Sequence, residues 1–290
     1  EGDYRFSGLD LTKHSIKTVI KSLSDNDYLS LIPFSTRAQV ILEPTKMIES
    51  MKDHSYRLVD NLKPTNTTNI WDSLKLAIEI ASKPEHSNKN ISILLFTDGE
   101  PNVNPPRGLL PTLIRKLEST EGNFTINSFG FGYQLDSVLL RNIANYGNGQ
   151  FSFIPDASMV GTVFVNFLSN TLLTYSTNDI IKLIGNNSNY KININTLQYG
   201  QDKDFIIEDP VDEEKVIYYN NKEYKIKPEL IPIENNTVYN FVRYKAIELL
   251  GRMVDEYNES YKNMIIEFHD YISTNFGSNT QVSELLKDFV

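Results

Sequence analysis

The sequence predicts an α/β fold, a mostly parallel central sheet flanked by helices, followed by a β-rich module and a helical module. Three observations carry this. Apolar runs of strand length alternate with amphipathic segments between Leu9 and Ser176, the pattern of successive βα units. The run Ile91–Phe96 (ISILLF) is almost wholly apolar, as a strand covered on both faces must be. Beyond Thr177 the chain changes to short alternating runs, and from Val238 the period returns to 3.6 residues. The expected division is 1–176, 177–235 and 236–290.

Taken in order, Leu9–Leu23 carries apolar residues at Leu9, Leu11, Ile16, Val19, Ile20 and Leu23, a helical spacing. Tyr28–Phe34 reads as a strand, with Pro33 interrupting its pairing near the end. Ala38–Leu42 reads as a second strand, antiparallel to the first because so few residues separate them. Lys46–Leu62 is expected to be a helix. The polar loop Lys63–Asn69 leads into the amphipathic helix Ile70–Ala81. Strand Ile91–Phe96 follows, then helix Leu109–Glu118, strand Thr125–Phe129, helix Asp136–Tyr146 closed by Gly147, strand Gln150–Ile154 and a long helix Met159–Ser176.

The β-rich stretch is expected to hold strands at Ile180–Ile184, Tyr190–Ile194, Asp204–Ile207, Lys215–Tyr219 and Lys222–Ile226. Asn220-Asn221 suits a hairpin turn between the last two. Val238, Phe241, Val242, Leu249, Leu250, Met253 and Tyr257 share a helical face, as do Tyr261, Ile265, Phe268 and Ile272. They predict two antiparallel helices, with Gly277-Ser278-Asn279 breaking them from a third that starts near Gln281.

Composition narrows the function. The 290 residues are 40% hydrophobic and 11% aromatic, enough for a sizeable core, with a net charge of −9. That balance argues against sequence-independent nucleic-acid binding, which needs a dense basic face, and favours holding a cation. With no Cys, disulfides, thiolate metal sites and Cys nucleophiles are excluded, although either redox compartment remains open. No apolar run reaches the length of a membrane span. The chain starts Glu1-Gly2-Asp3-Tyr4, without Met or a leader pattern. Asn-x-Ser/Thr triplets such as Asn123-Phe124-Thr125 carry no weight in so Asn-rich a chain.

Chemistry concentrates in two segments. One is the apolar strand running into Thr97-Asp98-Gly99-Glu100-Pro101. The other is the loop-to-helix segment Thr67-Thr68-Asn69-Ile70-Trp71-Asp72-Ser73-Leu74, with Thr68 and Asp98 30 residues apart. Mg²⁺ takes near-octahedral oxygen ligands, keeps several waters and binds through few carboxylates. A Thr68 hydroxyl and an Asp98 carboxylate at neighbouring strand tips would suit it and leave a position open.

In this order and spacing the two segments resemble the von Willebrand factor A (VWA) family. There, a strand ending in T-D-G and a T-N-I loop both reach a metal-ion-dependent adhesion site (MIDAS). The resemblance implies a Rossmann-like domain over residues 1–176 and metal ligation by Thr68 and Asp98. It also implies Mg²⁺, with Mn²⁺ or Ca²⁺ as alternatives, and a protein partner that offers an acidic residue to the cation. Phe129-Gly130-Phe131-Gly132-Tyr133 and Phe151-Ser152-Phe153-Ile154-Pro155-Asp156-Ala157-Ser158 are similar to the eukaryotic subgroup whose VWA domain continues into a Vwaint extension and a Hint self-processing region. Residues 177–290 match that extension in order and type only.

One family element is missing from this chain: the Asp-x-Ser-x-Ser tip of a first strand. Asp156-Ala157-Ser158 has only its first half and reads as a helix start, since Asp and Ser suit caps. No apolar strand precedes Leu9. Because that first strand lies mid-sheet in the family, and buried unpaired backbone groups each cost about 1–3 kcal/mol, it is expected to precede Glu1 in a longer polypeptide. A native mass of 33.2 kDa would refute this.

Plainer readings compete. Thr68 or Asn69 could serve only as the cap of Ile70–Ala81. Asp72 fits the helix dipole, Glu100 reads as exposed and Trp71 as core or rim. Gly130-Phe131-Gly132 is half a dinucleotide fingerprint, without its third Gly. His14, His54, His86 and His269 are scattered, and no Gly-x-Ser-x-Gly elbow exists. The sequence therefore points to a non-enzymatic protein-recognition module. Two alternatives stay open: a metal-free structural subunit of a larger assembly, and the passenger part of a Hint-type self-processing protein.

Overall fold

The computed structural model describes residues 7–65, 67–184, 189–200, 205, 215–219, 222–227, 235–255 and 259–287. The chain divides into two compact units. One comprises Glu1–Ile181 with Lys191–Lys203, the other Lys182–Tyr190 with Asp204–Val290.

The first unit opens with α1 (Gly8–Ser22), started by a capping box in which Ser7 Oγ accepts from Asp10 N and the Asp10 carboxylate accepts from Ser7 N. Strands β1 (Tyr28–Leu31) and β2 (Leu42–Lys46) form an antiparallel pair. Helices α2 (Glu49–Asp60) and α3 (Ile70–Ala81) follow. Then β3 (Ile91–Thr97), α4 (Leu109–Glu118), β4 (Phe124–Phe131), α5 (Ser137–Tyr146), β5 (Asn148–Ile154) and α6 (Ala157–Leu172) alternate. Strands β3, β4 and β5 form a parallel sheet in that order, the doubly covered α/β arrangement that the sequence predicts.

The sheet's two faces are filled by period-two alternation along its strands. Leu95, Phe124 and Ile126 pack with Ile70, Leu74 and Ile78 of α3, Leu113 of α4, and Leu140 and Ile143 of α5. On the other face Phe129, Phe131 and Ile154 pack with Phe164 and Phe167 of α6 and with Leu11 and Val19 of α1. Phe129 stacks on Phe96 at 5.1 Å and on Phe164 at 4.8 Å between centroids, and Phe167 meets it edge-on at 5.0 Å. Each such aromatic contributes about 1.5–3 kcal/mol by burial. Every residue of β4 is buried, which makes it the sheet's structural centre.

Helix α1 serves two cores. While Leu11 and Val19 face the Phe129 cluster, Ile20, with Ile16 and Leu23 beside it, packs with Leu31, Leu42, Met47 and Val59. The β1–β2 pair and the β3–β5 sheet are separate sheets, so among the described residues β3 is an edge strand. Ile93 and Leu94 in its middle are accordingly only half-buried.

Several boundaries differ from expectation. The first strand ends at Leu31 rather than Phe34. The second strand is Leu42–Lys46 rather than Ala38–Leu42. Ala38 makes a single bridge to Phe34, because its N–H donates to Asp72 Oδ2 at 2.7 Å and is lost to a ladder. Pro44 is tolerated in the pair because a two-stranded sheet has free edges. Helix α2 starts at Glu49 rather than Lys46, since the strand runs to Lys46. Helix α6 ends at Leu172, and Thr174–Ile184 forms strand β6 where the expected helix ran on to Ser176. The β-prone run Thr174-Tyr175-Ser176-Thr177 accounts for the change.

β7 (Asn189–Gln198) follows. In the second unit the end of β6, Lys182–Ile184, pairs antiparallel with β8 (Lys215–Tyr219), which pairs antiparallel with β9 (Lys222–Ile226). The strand expected over Asp204–Ile207, Phe205 apart, and the turn at Asn220-Asn221 lie outside the described residues. Helices α7 (Asn235–Asp255), α8 (Glu259–Phe276) and α9 (Thr280–Lys287) pack through Val238, Val242, Ile272, Val282 and Leu286.

Within β4, Asn127 is a buried polar residue, 5% exposed. Its Nδ2 donates to Ser92 Oγ at 2.8 Å and its Oδ1 accepts from Gln150 N at 2.9 Å, so it ties all three parallel strands together. The link falls where the β4–β5 register shifts between Ile126 and Ser128, so a side-chain oxygen replaces a lost ladder acceptor. Asn127→Ala is expected to cost about 1–3 kcal/mol, read as a lower denaturant midpoint at unchanged m.

Candidate functional site

Parallel strands bring their C-terminal ends to one rim, the place where open α/β sheets bind ligands. Strand β3 ends there at Thr97, and Asp98 follows as an exposed turn residue. Thr97 Oγ1 donates to Gly99 O at 3.1 Å and shapes that turn. Asp98 lies directly against the first residue of α1: a Cβ built on Gly8 would stand 2.6 Å from Asp98 Cβ and 2.7 Å from its Cγ.

Thr68 precedes α3 by two residues and is half-buried. Its loop is tied to the segment after β3 through Asn102. Thr68 N donates to Asn102 Oδ1 at 2.8 Å, and Thr68 O accepts from Asn102 N at 3.1 Å and from Val103 N at 3.4 Å. The fold thus fastens the loop that bears Thr68 to the loop that bears Asp98. Asn69 N donates to Ser35 O at 2.8 Å and Asn69 Nδ2 to Thr36 O at 3.0 Å. Those two bonds hold the same loop to the Ser35-Thr36 turn that follows β1.

The neighbouring polar residues have structural duties. Asn69 Oδ1 caps α3 by accepting from Asp72 N at 3.1 Å, which leaves the Thr68 hydroxyl outside the cap. Asp72 is engaged with Ala38. Trp71 lies at the rim of the α3 core, and Glu100 is exposed. Asp156 starts α6, its Oδ1 accepting from Ser158 N at 2.8 Å and from Ser158 Oγ at 2.5 Å, in keeping with a helix start. Asn102 is the residue that sequence reasoning missed. Its position after Asp98-Gly99-Glu100-Pro101 marks only a turn, and nothing local reveals a clamp on a loop 34 residues away.

A hydroxyl and a carboxylate are hard oxygen donors, the kind that Mg²⁺, Mn²⁺ and Ca²⁺ accept. Two donors on fastened loops at a solvent-facing rim fit a cation that keeps waters and further ligands. Among the described residues there is no group of three or more His, Cys, Asp or Glu that could hold a metal. The same rim displays Tyr133, 82% exposed, edge-on to Phe153 at 5.4 Å.

Residues 4–153 match the von Willebrand factor type A domain model, and the chain belongs to that family. Domains of this family mediate protein–protein interactions, in some cases through a metal at a MIDAS. The chain is 27% identical over 169 residues to the uncharacterised protein YfbK of Escherichia coli, covering 57% of this chain and 28% of that one. It is 27% identical over 191 residues to inter-alpha-trypsin inhibitor heavy chain H3 of Rattus norvegicus, covering 60% and 21%. The chain thus spans less than a third of the length of these relatives. Among solved structures, a von Willebrand factor type A protein from Catenulispora acidiphila superposes with a TM-score of 0.63 at 15% identity, covering 96% of this chain and 77% of that one. That likeness shows the fold. Among the described residues no helix is long and apolar enough to cross a membrane.

Removing the Asn102 clamp should loosen the Thr68 loop without unfolding the sheet. Asn102→Ala is expected to raise amide exchange at Thr68 by at least about ten-fold, with the exchange of β4 amides unchanged. A second prediction concerns the start of α6. The Ser158 hydroxyl, then the Ser158 amide, holds the Asp156 carboxyl below the usual carboxylate range. Its stabilising effect is therefore complete above the ordinary value of about 3.9 and lost as pH falls through the lower folded value. The Ser158 amide resonance should titrate with a midpoint below about 3.9; a midpoint above that would contradict the cap.

Proposed function

We propose that this domain recognises a protein partner through a divalent cation held at the strand-tip rim by Thr68 and Asp98, with Mg²⁺ the preferred ion and Mn²⁺ or Ca²⁺ able to replace it. The observation that carries the reading is the Asn102 clamp, which fastens the two ligand-bearing loops to each other. With a single carboxylate from these loops, the cation keeps enough positive charge to attract an acidic side chain of the partner into an open position. When bound, the ion supplies that electrostatic attraction. The protein's part is to fix the two oxygens and leave one side facing solvent.

The remaining ligands are proposed to come from a strand that seats between β1 and β3, ahead of α1. Support comes from α1, which packs on both cores, and from the edge of β3, unpaired among the described residues, with its half-buried middle residues. Binding, not catalysis, is the activity proposed. Support comes from the exposed groups there, the acids Asp98 and Glu100 and the ring of Tyr133.

The second reading is a metal-free structural subunit of a larger assembly. Calorimetric titration of Mg²⁺ or Mn²⁺ into the natural polypeptide separates the two. The expected outcome is saturable binding that Asp98→Ala abolishes and Thr68→Ala weakens by about ten-fold or more. Equal heats from wild type and Asp98→Ala would sink the metal reading.

A further inference from the structure

We propose that Gly8 is a positioning residue for Asp98, and that its missing side chain is what allows the carboxylate to occupy the strand tip. This rests on the metal reading of Thr68 and Asp98. A Cβ at position 8 would lie within 2.6 Å of Asp98 Cβ and 2.7 Å of Cγ, and closer still to Oδ2. The obstruction includes Asp98 Cβ, whose position the backbone fixes. Rotating the carboxylate therefore gives no relief, and either Asp98 or α1 has to move.

Helix α1 is the firmer of the two. Its start is pinned by the Ser7–Asp10 capping box, and Thr12 Oγ1 donates to Gly8 O at 2.9 Å. Its next turns are anchored by buried Leu11, Ser15 and Val19. Asp98 is exposed, and Gly99 beside it has no atom within 4 Å of where its Cβ would be. The displacement would therefore fall on Asp98, which leaves its place at the tip of β3. Backbone conformation is not the reason for glycine here, because the positive-φ glycines are Gly108, Gly132 and Gly200. Glycine within a helix is ordinarily less stable than alanine, so the helix itself gains nothing from it.

The test uses the natural polypeptide, with Mn²⁺ alone as probe. Gly8→Ala is expected to keep the far-ultraviolet circular dichroism of the wild type and to bind Mn²⁺ about 10–100-fold more weakly. Gly161→Ala in α6, where a Cβ meets nothing within 4 Å, is expected to bind as wild type. A denaturation cycle of Gly8→Ala, Asp98→Ala and the double variant reads the contact without metal. Gly8→Ala should lower the midpoint only while Asp98 is present, so the double variant recovers it. If Gly8→Ala fails to fold, recovery of the fold in the double variant supports the contact. Additive midpoints, or wild-type Mn²⁺ affinity in Gly8→Ala while Asp98→Ala does not bind, would overturn the proposal and leave the metal reading standing. Absence of Mn²⁺ binding by wild type, with a non-additive cycle, would remove the metal reading and with it the positioning role.

Discussion

The in-register parallel ladder between β3 and β4, Ile91 opposite Phe124 through Thr97 opposite Gly130, is the constraint on which the rest depends. Seven matched residues fix where β3 stops, and hence where Asp98 emerges. The ladder also sets the alternation that sends Phe124 and Ile126 to one core and Phe129 and Phe131 to the other. A slip of one residue would exchange those faces and bury Asn127 and Ser128 against the wrong helices. The register is thus held by two hydrophobic clusters and one amide.

Much of this was legible in the chain. Helices α3 and α4 begin and end where periodicity places them, because their apolar faces are regular and their ends carry clear stop signals. Of the parallel strands, β3 was visible as a nearly continuous apolar run. The second strand was not. Ala38–Leu42 read as a strand, but the carboxylate of Asp72, 34 residues from Ala38, takes the Ala38 N–H that the ladder would need. No local pattern contains that information. The junction after α6 failed for a different reason, since an apolar helical face and a β-prone segment abut without a Gly or Pro between them.

The candidate site divides in the same way. Thr68 and Asp98 were singled out by the order and spacing of the two segments that bear them, which resemble the VWA motifs, and not by either residue alone. What ties their loops together was invisible. Asn102 acts through its side-chain amide and its backbone across two loops, and Gly8 acts by having no side chain at all. Both are properties of packing. A residue that contributes empty space leaves no compositional trace.

This division has an energetic logic. The cores supply stability through non-directional burial, which tolerates variation and reads clearly as pattern. The rim supplies geometry through a few directed bonds, each worth only about 0.5–1.5 kcal/mol. Losing one of them would disturb placement of the oxygens far more than it would disturb the fold.

Paramagnetic broadening of amide resonances by added Mn²⁺ tests the central claim most directly, since it maps where an ion sits without presuming its ligands. The account predicts that broadening begins in residues 67–69, 97–99 and 8–9 together, at substoichiometric ion. Broadening confined to one of these loops, or centred on another acidic part of the surface, would contradict the convergence of Thr68 and Asp98 on one cation.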